Sequence, residues 1–205
     1  MRPLIKICGL TRQCEIDAVN AAKPDYIGFV FADSRLKISV SQANCLRKRL
    51  SPDIIPVGVF VNEPIEKIMP LIRNGIIEAA QLHGDESEEY IKTLKTLTNK
   101  TVLKAIPVLK AGDVQKWSDT CADYILLDNK GGATGKPFDW NLIGEVRRKF
   151  FLAGGLNSEN VKYAVEKFSP YAVDISSGVE TNGLKDEEKI RTIIRRIRNE
   201  QETEK

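Results

Sequence analysis

Short apolar runs recur along the chain at intervals of about 25 residues. Each run is too short for a helix and is rich in Val, Ile, Phe or Tyr. Most lack polar interruptions, which is typical of strands covered on both faces. The pattern therefore predicts eight buried strands at 4–8, 26–31, 55–61, 79–82, 101–106, 124–127, 150–153 and 171–175.

Helical patterns separate these runs, with apolar residues three and four positions apart. The last is the clearest, and its apolar stripe consists of Ile190, Ile193, Ile194 and Ile197. Arginines at 191, 195, 196 and 198 lie off this stripe. They could form a footprint for a phosphate backbone, but a solvated outer helix face is the favoured interpretation.

Alternation of strand and helix predicts a parallel sheet, because a parallel pair needs a crossover connection and that connection is usually a helix. Eight such units close naturally into a (β/α)8 barrel. Without a linker or a shift in composition, we expect one barrel domain over residues 1–205 with short loops. An open doubly wound sheet is the structural alternative.

Composition narrows the kind of ligand. Of the 205 residues, 42% are hydrophobic and 29% are charged, which excludes a disordered or low-complexity chain. The net charge of +3 offers no electrostatic reason for a nucleic-acid or membrane partner. We expect a small-molecule ligand. We also expect a cytoplasmic protein, because the start MRPLIKICGL lacks a secretory pattern. The expected oligomeric state is a monomer or a homodimer.

The cysteines and the single histidine do not have metal-ligand spacing. The four cysteines are Cys8, Cys14, Cys45 and Cys121, with no CxxC pair. They are expected to be free thiols, and no metal site and no cofactor are predicted.

Polar residues follow several of the predicted strands, at the barrel end where chemistry is expected. Because strand side chains alternate between faces, four pairs should point into the barrel: Lys6 with Cys8, Gln81 with His83, Leu126 with Asp128, and Asp174 with Ser176. The intervening Ile5, Ile7, Leu82, Leu127 and Val173 should face the helices.

Each polar residue also has a purely structural interpretation. His83 could be a hydrogen-bonded packing residue. Asp174 could pair with an inward lysine, such as Lys6 or Lys104, instead of contacting a substrate. Asp128 could cap the following loop, although a glycine-rich segment there favours catalysis.

Glycine-bearing loops follow the last three strands, at 131–135, at Gly154 and Gly155, and at Ser176, Ser177 and Gly178. Loops after strands seven and eight are the usual phosphate site of this barrel, because small residues let backbone N–H groups approach the oxygens. A phosphorylated small substrate is therefore predicted.

Seven segments then match a known family in order: KICGLTR, GVFVNEP, AAQLHGDE, LLDN, GKPFDW, AGGLNSENV and VDISSGVE. Over roughly residues 6–180 the chain resembles the phosphoribosylanthranilate isomerases of tryptophan biosynthesis. The resemblance implies a cofactor-free Amadori rearrangement with Cys8 as general base and Asp128 as general acid. It implies a phosphate held by the backbone of the AGGLN and SSG loops. Lys6, Arg35, Gln81, His83 and Asp174 are the expected substrate-binding side chains.

Two expectations accompany this chemistry. A thiolate at Cys8 needs a neighbouring cation, for which Lys6 is the candidate, whereas Asp128 needs an apolar or anionic setting that keeps its carboxyl protonated. The family commonly has arginine where this chain has Leu36. The charge that holds the anthranilate carboxylate is therefore expected from Arg35 or Lys37.

Other enzymes and a non-enzyme compete with this hypothesis. Metal-dependent epimerases on this fold need several histidines, and the chain has one. The bispecific isomerase shared with histidine biosynthesis uses aspartate in place of Cys8. A catalytically silent phosphate-binding barrel is the third alternative, against which both Cys8 and Asp128 argue.

Overall fold

Eight parallel strands close into a barrel in the order in which they occur along the chain. The computed structural model describes residues 2–129 and 138–198. The strands are β1 (Leu4–Cys8), β2 (Tyr26–Val30), β3 (Ile55–Phe60), β4 (Ala79–Leu82), β5 (Thr101–Pro107), β6 (Tyr124–Asp128), β7 (Phe150–Leu152) and β8 (Ala172–Ile175). The predicted closed barrel is confirmed, and the open sheet is excluded. Predicted and observed strand ends differ by at most one residue.

Six α-helices pack around the barrel in the described part of the chain. They are α1 (Gln13–Ala22), α2 (Val40–Arg47), α3 (Ile65–Arg73), α4 (Glu88–Leu97), α5 (Val161–Phe168) and α6 (Glu187–Arg198). The predicted isoleucine stripe of α6 is buried. Local capping sets the start of α2, where the Ser39 hydroxyl accepts from the Gln42 amide at 3.2 Å. None of the helices described is long and apolar enough to cross a membrane.

The alternation of strand and helix is less strict than predicted. In the described residues, the segments after β5 and β6 contain only the short 3-10 turns Gln115–Trp117 and Trp140–Leu142. After β5, the Asp113 carboxylate accepts from the amides of Leu109 and Lys110, and this local turn competes with a helix. The predicted glycine loop at 131–135 lies outside the described residues.

A small hairpin that the sequence analysis did not predict follows β8. It consists of β9 (Glu180–Thr181) and β10 (Leu184–Lys185), paired antiparallel. The turn residues Asn182 and Gly183 both have positive φ, 52° and 79°. That is the signature of a tight hairpin turn, for which Asn-Gly is the preferred dipeptide.

Strand alternation divides the core into two layers. Inside the barrel lie small and medium residues such as Ala79, Leu103, Ala105 and Leu126. The residues between them, including all five that were predicted to face the helices, belong to the larger layer between strands and helices. The prediction of Lys104 as an inward lysine is wrong. It lies between Leu103 and Ala105 on β5, faces outward, and pairs with Glu86 at 2.8 Å.

Aromatic rings close the amino end of the barrel. Phe151 makes edge contacts with Tyr26 and Tyr124, with ring centroids 5.5 Å apart in both cases. Tyr124 stacks on Tyr171 at 4.7 Å. These rings are large apolar surfaces in favourable packing geometry, so this end of the barrel contributes to stability and leaves the opposite end open.

We expect Phe151→Ala to lower the free energy of unfolding by about 3–5 kcal/mol, because it deletes the ring on which the cluster converges. Urea unfolding followed by circular dichroism measures the effect. Leu97→Ala is the control, since Leu97 is 50% exposed. Equal losses in the two variants would contradict this role of the aromatic cluster.

Candidate active site

A cavity of about 520 Å³ opens at the carboxyl ends of the strands. Most predicted site residues line it, although they come from different strands and loops: Cys8, Arg35, Gln81, His83, Asp128, Gly154, Gly155, Asp174, Ser176 and Ser177. Lys6 and Gly178 lie behind this lining. The structure therefore brings the predicted residues together around one volume of the size that small-molecule sites have.

Cys8 ends β1, and its thiol fits against β2 only because residue 28 is glycine. A Cβ built on Gly28 would lie 2.5 Å from Cys8 Sγ and 3.1 Å from its Cα. Cys8 and Gly28 are register partners on the two strands, so neither can move away without breaking the ladder. The position of the Cys8 thiol therefore depends on residue 28 of β2 being glycine, which has no side chain.

The surroundings of Cys8 shift the pKa of its thiol in opposite directions. Burial raises the pKa of the Cys8 thiol above its ordinary value, and the Asp174 carboxylate adds to the rise. The ammonium of Lys6 acts in the opposite direction, but the net effect is a higher pKa. Lys6 is therefore the neighbouring cation that was predicted, but its lowering effect on the pKa of the thiol is outweighed by burial and Asp174.

Lys6 is itself paired with a carboxylate. Its side chain is fully buried, and its Nζ lies 2.8 Å from Asp174 Oδ2 across the pairing of β1 and β8. Burial lowers the pKa of Lys6, but Asp174 and Cys8 raise it, with a net rise that keeps the ammonium charged. Most of this charge is balanced by the carboxylate, so Lys6 holds Asp174 instead of contacting the open cavity.

Asp174 has the structural role considered for it, and it also has one carboxylate oxygen that is not used by that role. One carboxylate oxygen is taken by Lys6, whereas Oδ1 is buried and has no hydrogen-bond partner among the described residues. Gln81 Oε1 is likewise buried without a hydrogen-bond partner among the described residues. Both residues line the cavity. Buried unpaired acceptors are costly, so they mark positions where a ligand's donor groups would be satisfied.

His83 connects two other site residues. Its Nδ1 lies 2.8 Å from Gln81 Nε2, which can only donate, so Nε2 of the imidazole carries the hydrogen in the neutral ring. Nε2 lies 3.3 Å from Asp128 Oδ2, while Asp128 Oδ1 accepts from the Asn129 amide at 2.7 Å. His83 is therefore hydrogen-bonded to Gln81 and lies in contact with the Asp128 carboxyl.

The loops after β7 and β8 pack tightly on each other. Gly154 and Gly155 have φ of 80° and 66°, which favour glycine. A Cβ on Gly178 would lie 1.9 Å from the Leu156 carbonyl oxygen. The Ser176 hydroxyl is engaged, since it donates to the Cys8 carbonyl oxygen at 3.1 Å. These loops therefore present backbone groups to the cavity, as the glycine pattern predicted.

At the rim, the two candidate cations are placed differently. Arg35 lines the cavity, pairs with Glu180, and donates to the Gly183 carbonyl oxygen at 2.8 Å. Lys37 pairs with Asp33 at 3.6 Å on the exposed surface and is not part of the lining. Leu36 packs over Gly9, and a Cβ built on Gly9 would lie 2.6 Å from Leu36 Cδ1.

Three residues of this region were not found by sequence reasoning: Gly28, Glu180 and Lys185. Gly28 lies inside a strand, where an isolated glycine signals a close approach. Glu180 and Lys185 belong to the hairpin, which the Asn182-Gly183 dipeptide could have indicated. Among residues 2–129 and 138–198, no three His, Cys, Asp or Glu side chains are arranged to hold a metal ion.

A thiol, a carboxyl and glycine loops around one cavity at the carboxyl end of a closed parallel barrel define a (β/α)8-barrel enzyme. The family model for N-(5'-phosphoribosyl)anthranilate isomerase matches residues 5–196. The chain therefore belongs to the N-(5'-phosphoribosyl)anthranilate isomerase family, whose members act in tryptophan biosynthesis.

Individual relatives agree with the family match. The N-(5'-phosphoribosyl)anthranilate isomerase of Endomicrobium trichonymphae is 47% identical over 96% of this chain and 99% of its own. The phosphoribosyl anthranilate isomerase structure from Thermotoga maritima superposes with a TM-score of 0.87 at 36% identity, over 96% and 99% of the two chains. Another isomerase structure, in complex with reduced 1-(o-carboxyphenylamino)-1-deoxyribulose 5-phosphate, has a TM-score of 0.85, 36% identity and the same coverage.

We expect Gly28→Ala to lower kcat by about 100-fold. The added methyl group would displace the Cys8 thiol, and a shift of about 1 Å in a group at an active site can cost this much. Steady-state kinetics of the isomerase reaction measure it. Gly58→Ala is the matched control, since its Cβ would crowd Phe60 and Ile77 at similar distances but away from the cavity. It should lower stability and leave kcat nearly unchanged. The same loss of kcat in both variants would contradict a specific effect on Cys8.

Proposed function

We propose that this chain converts N-(5-phosphoribosyl)anthranilate into 1-(2-carboxyphenylamino)-1-deoxyribulose 5-phosphate by an acid- and base-catalysed Amadori rearrangement. The observation that carries the proposal is the placement of a thiol and a carboxyl around one cavity. Cys8 comes from β1 and Asp128 from β6, three strands apart around the closed barrel. The two groups therefore approach a bound sugar from different walls.

The reaction needs one proton donor and one proton acceptor. Asp128, when protonated, donates its proton to the furanose ring oxygen, and the C1′–O bond breaks to give an open-chain iminium. Cys8, as thiolate, then removes the proton from C2′, and the electrons of that bond neutralise the iminium to give an enolamine. Ketonisation of the enolamine completes the isomerisation, with no net gain or loss of electrons.

The raised pKa of Cys8 fits this order of events. Because the pKa of the thiol lies above its ordinary value, the thiolate is a minor form near neutrality. A base whose pKa lies above the working pH is scarce but strong once formed, which suits removal of a proton from carbon. On the acid side, the Asn129 amide donates to one oxygen of the Asp128 carboxyl, and His83 lies 3.3 Å from the other.

The remaining contacts follow the chemistry of the substrate. The backbone of the loops at Gly154–Gly155 and Ser176–Gly178 is assigned to the phosphate. The unpaired acceptors Asp174 Oδ1 and Gln81 Oε1 are assigned to sugar hydroxyl groups, which can donate to them. Arg35 is assigned to the anthranilate carboxylate. The ligand named for the related complex, a carboxyphenylamino deoxyribulose 5-phosphate, carries all three of these chemical groups.

We expect Cys8→Ser to lower kcat by about 10²–10⁴-fold, the usual loss of a general base, with little change in the affinity for inorganic phosphate. Loss of anthranilate-type fluorescence follows the turnover. Asp128→Asn should cause a loss of similar size. Cys14→Ser is the control for thiol removal, because Cys14 is exposed and outside the cavity.

The double variant tests whether the two groups act in one sequence. If they do, Cys8→Ser combined with Asp128→Asn should cost much less than the product of the single losses, since residues that act as a unit are not additive. Near-normal kcat in Cys8→Ser would refute the proposed base. Fully multiplicative losses would refute a shared proton-transfer sequence.

For the carboxylate contact, we expect Arg35→Ala to raise KM for phosphoribosylanthranilate by about 10-fold or more, because a charged hydrogen bond contributes about 1.5–3 kcal/mol. Lys37→Ala is the matched control and should have a smaller effect, since Lys37 does not line the cavity. Initial-rate kinetics give both KM values. A larger rise in Lys37→Ala than in Arg35→Ala would assign the carboxylate to the lysine.

A further inference from the structure

Lys185 is a buried lysine that takes no part in the proposed proton transfers. It lies on β10 of the hairpin, outside the eight strands, and its side chain is only 1% exposed. Burying an ammonium group is costly unless it is fully hydrogen-bonded. The buried charge of Lys185 is therefore expected to have a structural or functional role.

The ammonium of Lys185 has three acceptors. Its Nζ donates to the Ser176 carbonyl oxygen at 3.1 Å, to the Ser176 hydroxyl oxygen at 3.2 Å, and to Glu180 Oε1 at 2.5 Å. The Ser176 hydroxyl in turn donates to the Cys8 carbonyl oxygen. Lys185 is thus linked through one residue to the backbone of the proposed base, and directly to the loop proposed to hold the phosphate.

The hairpin that carries Lys185 is anchored to the first loop of the barrel. The Lys185 amide donates to Glu15 Oε1 at 3.3 Å, and its carbonyl oxygen accepts from Arg12 at 3.3 Å. The Glu15 carboxylate also accepts from the amides of Thr11 and Arg12. The ammonium therefore sits on a scaffold that is tied to the segment directly after Cys8 and Gly9.

The charge balance of this network differs from that of Lys6. Lys6 and Asp174 form a pair with no net charge. Glu180, by contrast, lies between two cations, with Lys185 on one carboxylate oxygen and Arg35 on the other. The group of Arg35, Glu180 and Lys185 carries a net charge of +1, and it borders the side of the cavity formed by Cys8 and Ser176.

We propose that Lys185 is a positioning residue of this site, which fixes Ser176 against the Cys8 backbone and supplies the net positive charge that favours a thiolate at Cys8 and a phosphate at the adjoining loop. The proposal rests on the proposed function for the identity of the site. The direct effect on the thiol agrees with it. Burial raises the pKa of Cys8, Lys6 lowers it most, and Lys185 adds a smaller lowering in the same direction.

The first test measures the thiol without turnover. The pH dependence of alkylation of Cys8 by iodoacetamide is followed by mass spectrometry of the peptide that carries Cys8, in the full-length protein. Several charged groups face or surround this thiol and are kept constant in the comparison: Lys6 on β1, Asp174 on β8, Asp128 on β6, His83 after β4 and Arg35 after β2.

Two variants should move the midpoint of alkylation in opposite directions. Lys185→Met removes the cation, and the midpoint should rise by about half a pH unit or more. Glu180→Gln keeps the cation but removes its counter-charge, and the midpoint should fall. Loosening of the hairpin alone cannot produce opposite shifts. Lys189→Met is the matched control, because Lys189 contacts the Glu180 carbonyl oxygen from the exposed surface and should leave the midpoint unchanged.

The second test uses inorganic phosphate as a competitive inhibitor of the isomerase reaction. Its inhibition constant should rise about fivefold or more in Lys185→Met and fall in Glu180→Gln, in proportion to the charge at the loop. Shifts in the same direction, or no shift, in both variants overturn the proposal. If Lys185→Met does not fold, Glu180→Gln alone decides it through the sign of its shift.

These outcomes are distinguishable from failure of the proposed function. Alkylation of Cys8 requires no substrate, so its dependence on Lys185 can be found even if Cys8→Ser remains active. Conversely, Cys8→Ser could be inactive while Lys185→Met and Glu180→Gln leave the alkylation midpoint unshifted. That result would support Cys8 as the base and refute the role of Lys185.

Discussion

The ion pair of Lys6 and Asp174 spans the seam at which the first and last strands of the barrel meet. The two residues are register partners, so their attraction and the ladder hydrogen bonds specify the same alignment of β1 with β8. A one-residue slip would turn Lys6 away from the carboxylate and leave both charges buried without a partner, which is strongly unfavourable. Cys8 and Ser176 lie two residues beyond this pair, so their contact depends on the same alignment.

Two lysines near Cys8 lower the pKa of its thiol, and they reach it from different parts of the chain. Lys6 is closer along the strand, but its charge is largely used to hold Asp174. Lys185 reaches the same wall from a hairpin outside the barrel, and its counter-ion is shared with Arg35. The wall near the thiol therefore combines a neutral buried pair, Lys6 with Asp174, and a group in which two cations share one carboxylate.

The sequence could predict what depends on local periodicity. Runs of Val, Ile and Phe located all eight strands, and strand parity correctly placed Cys8, Gln81, His83, Asp128 and Asp174 around one cavity. It could not predict long-range electrostatics: the Cys8 pKa depends on burial and on a carboxylate 166 positions away in the chain. Lys104 was misplaced because a lysine in a strand can be buried on either face. Its register with Leu82 places it on the helix-facing side, where it pairs with Glu86.

The closed seam also has a consequence for how the chain folds. Contacts such as that of Lys6 with Asp174 join residues 168 positions apart, and loops of this length are closed late because their entropy must be lost before the contact forms. During synthesis, Cys8 is made well before its partners on β8 and β10. The site around Cys8 cannot exist in a fragment that ends before β8, and it is completed only when the barrel closes.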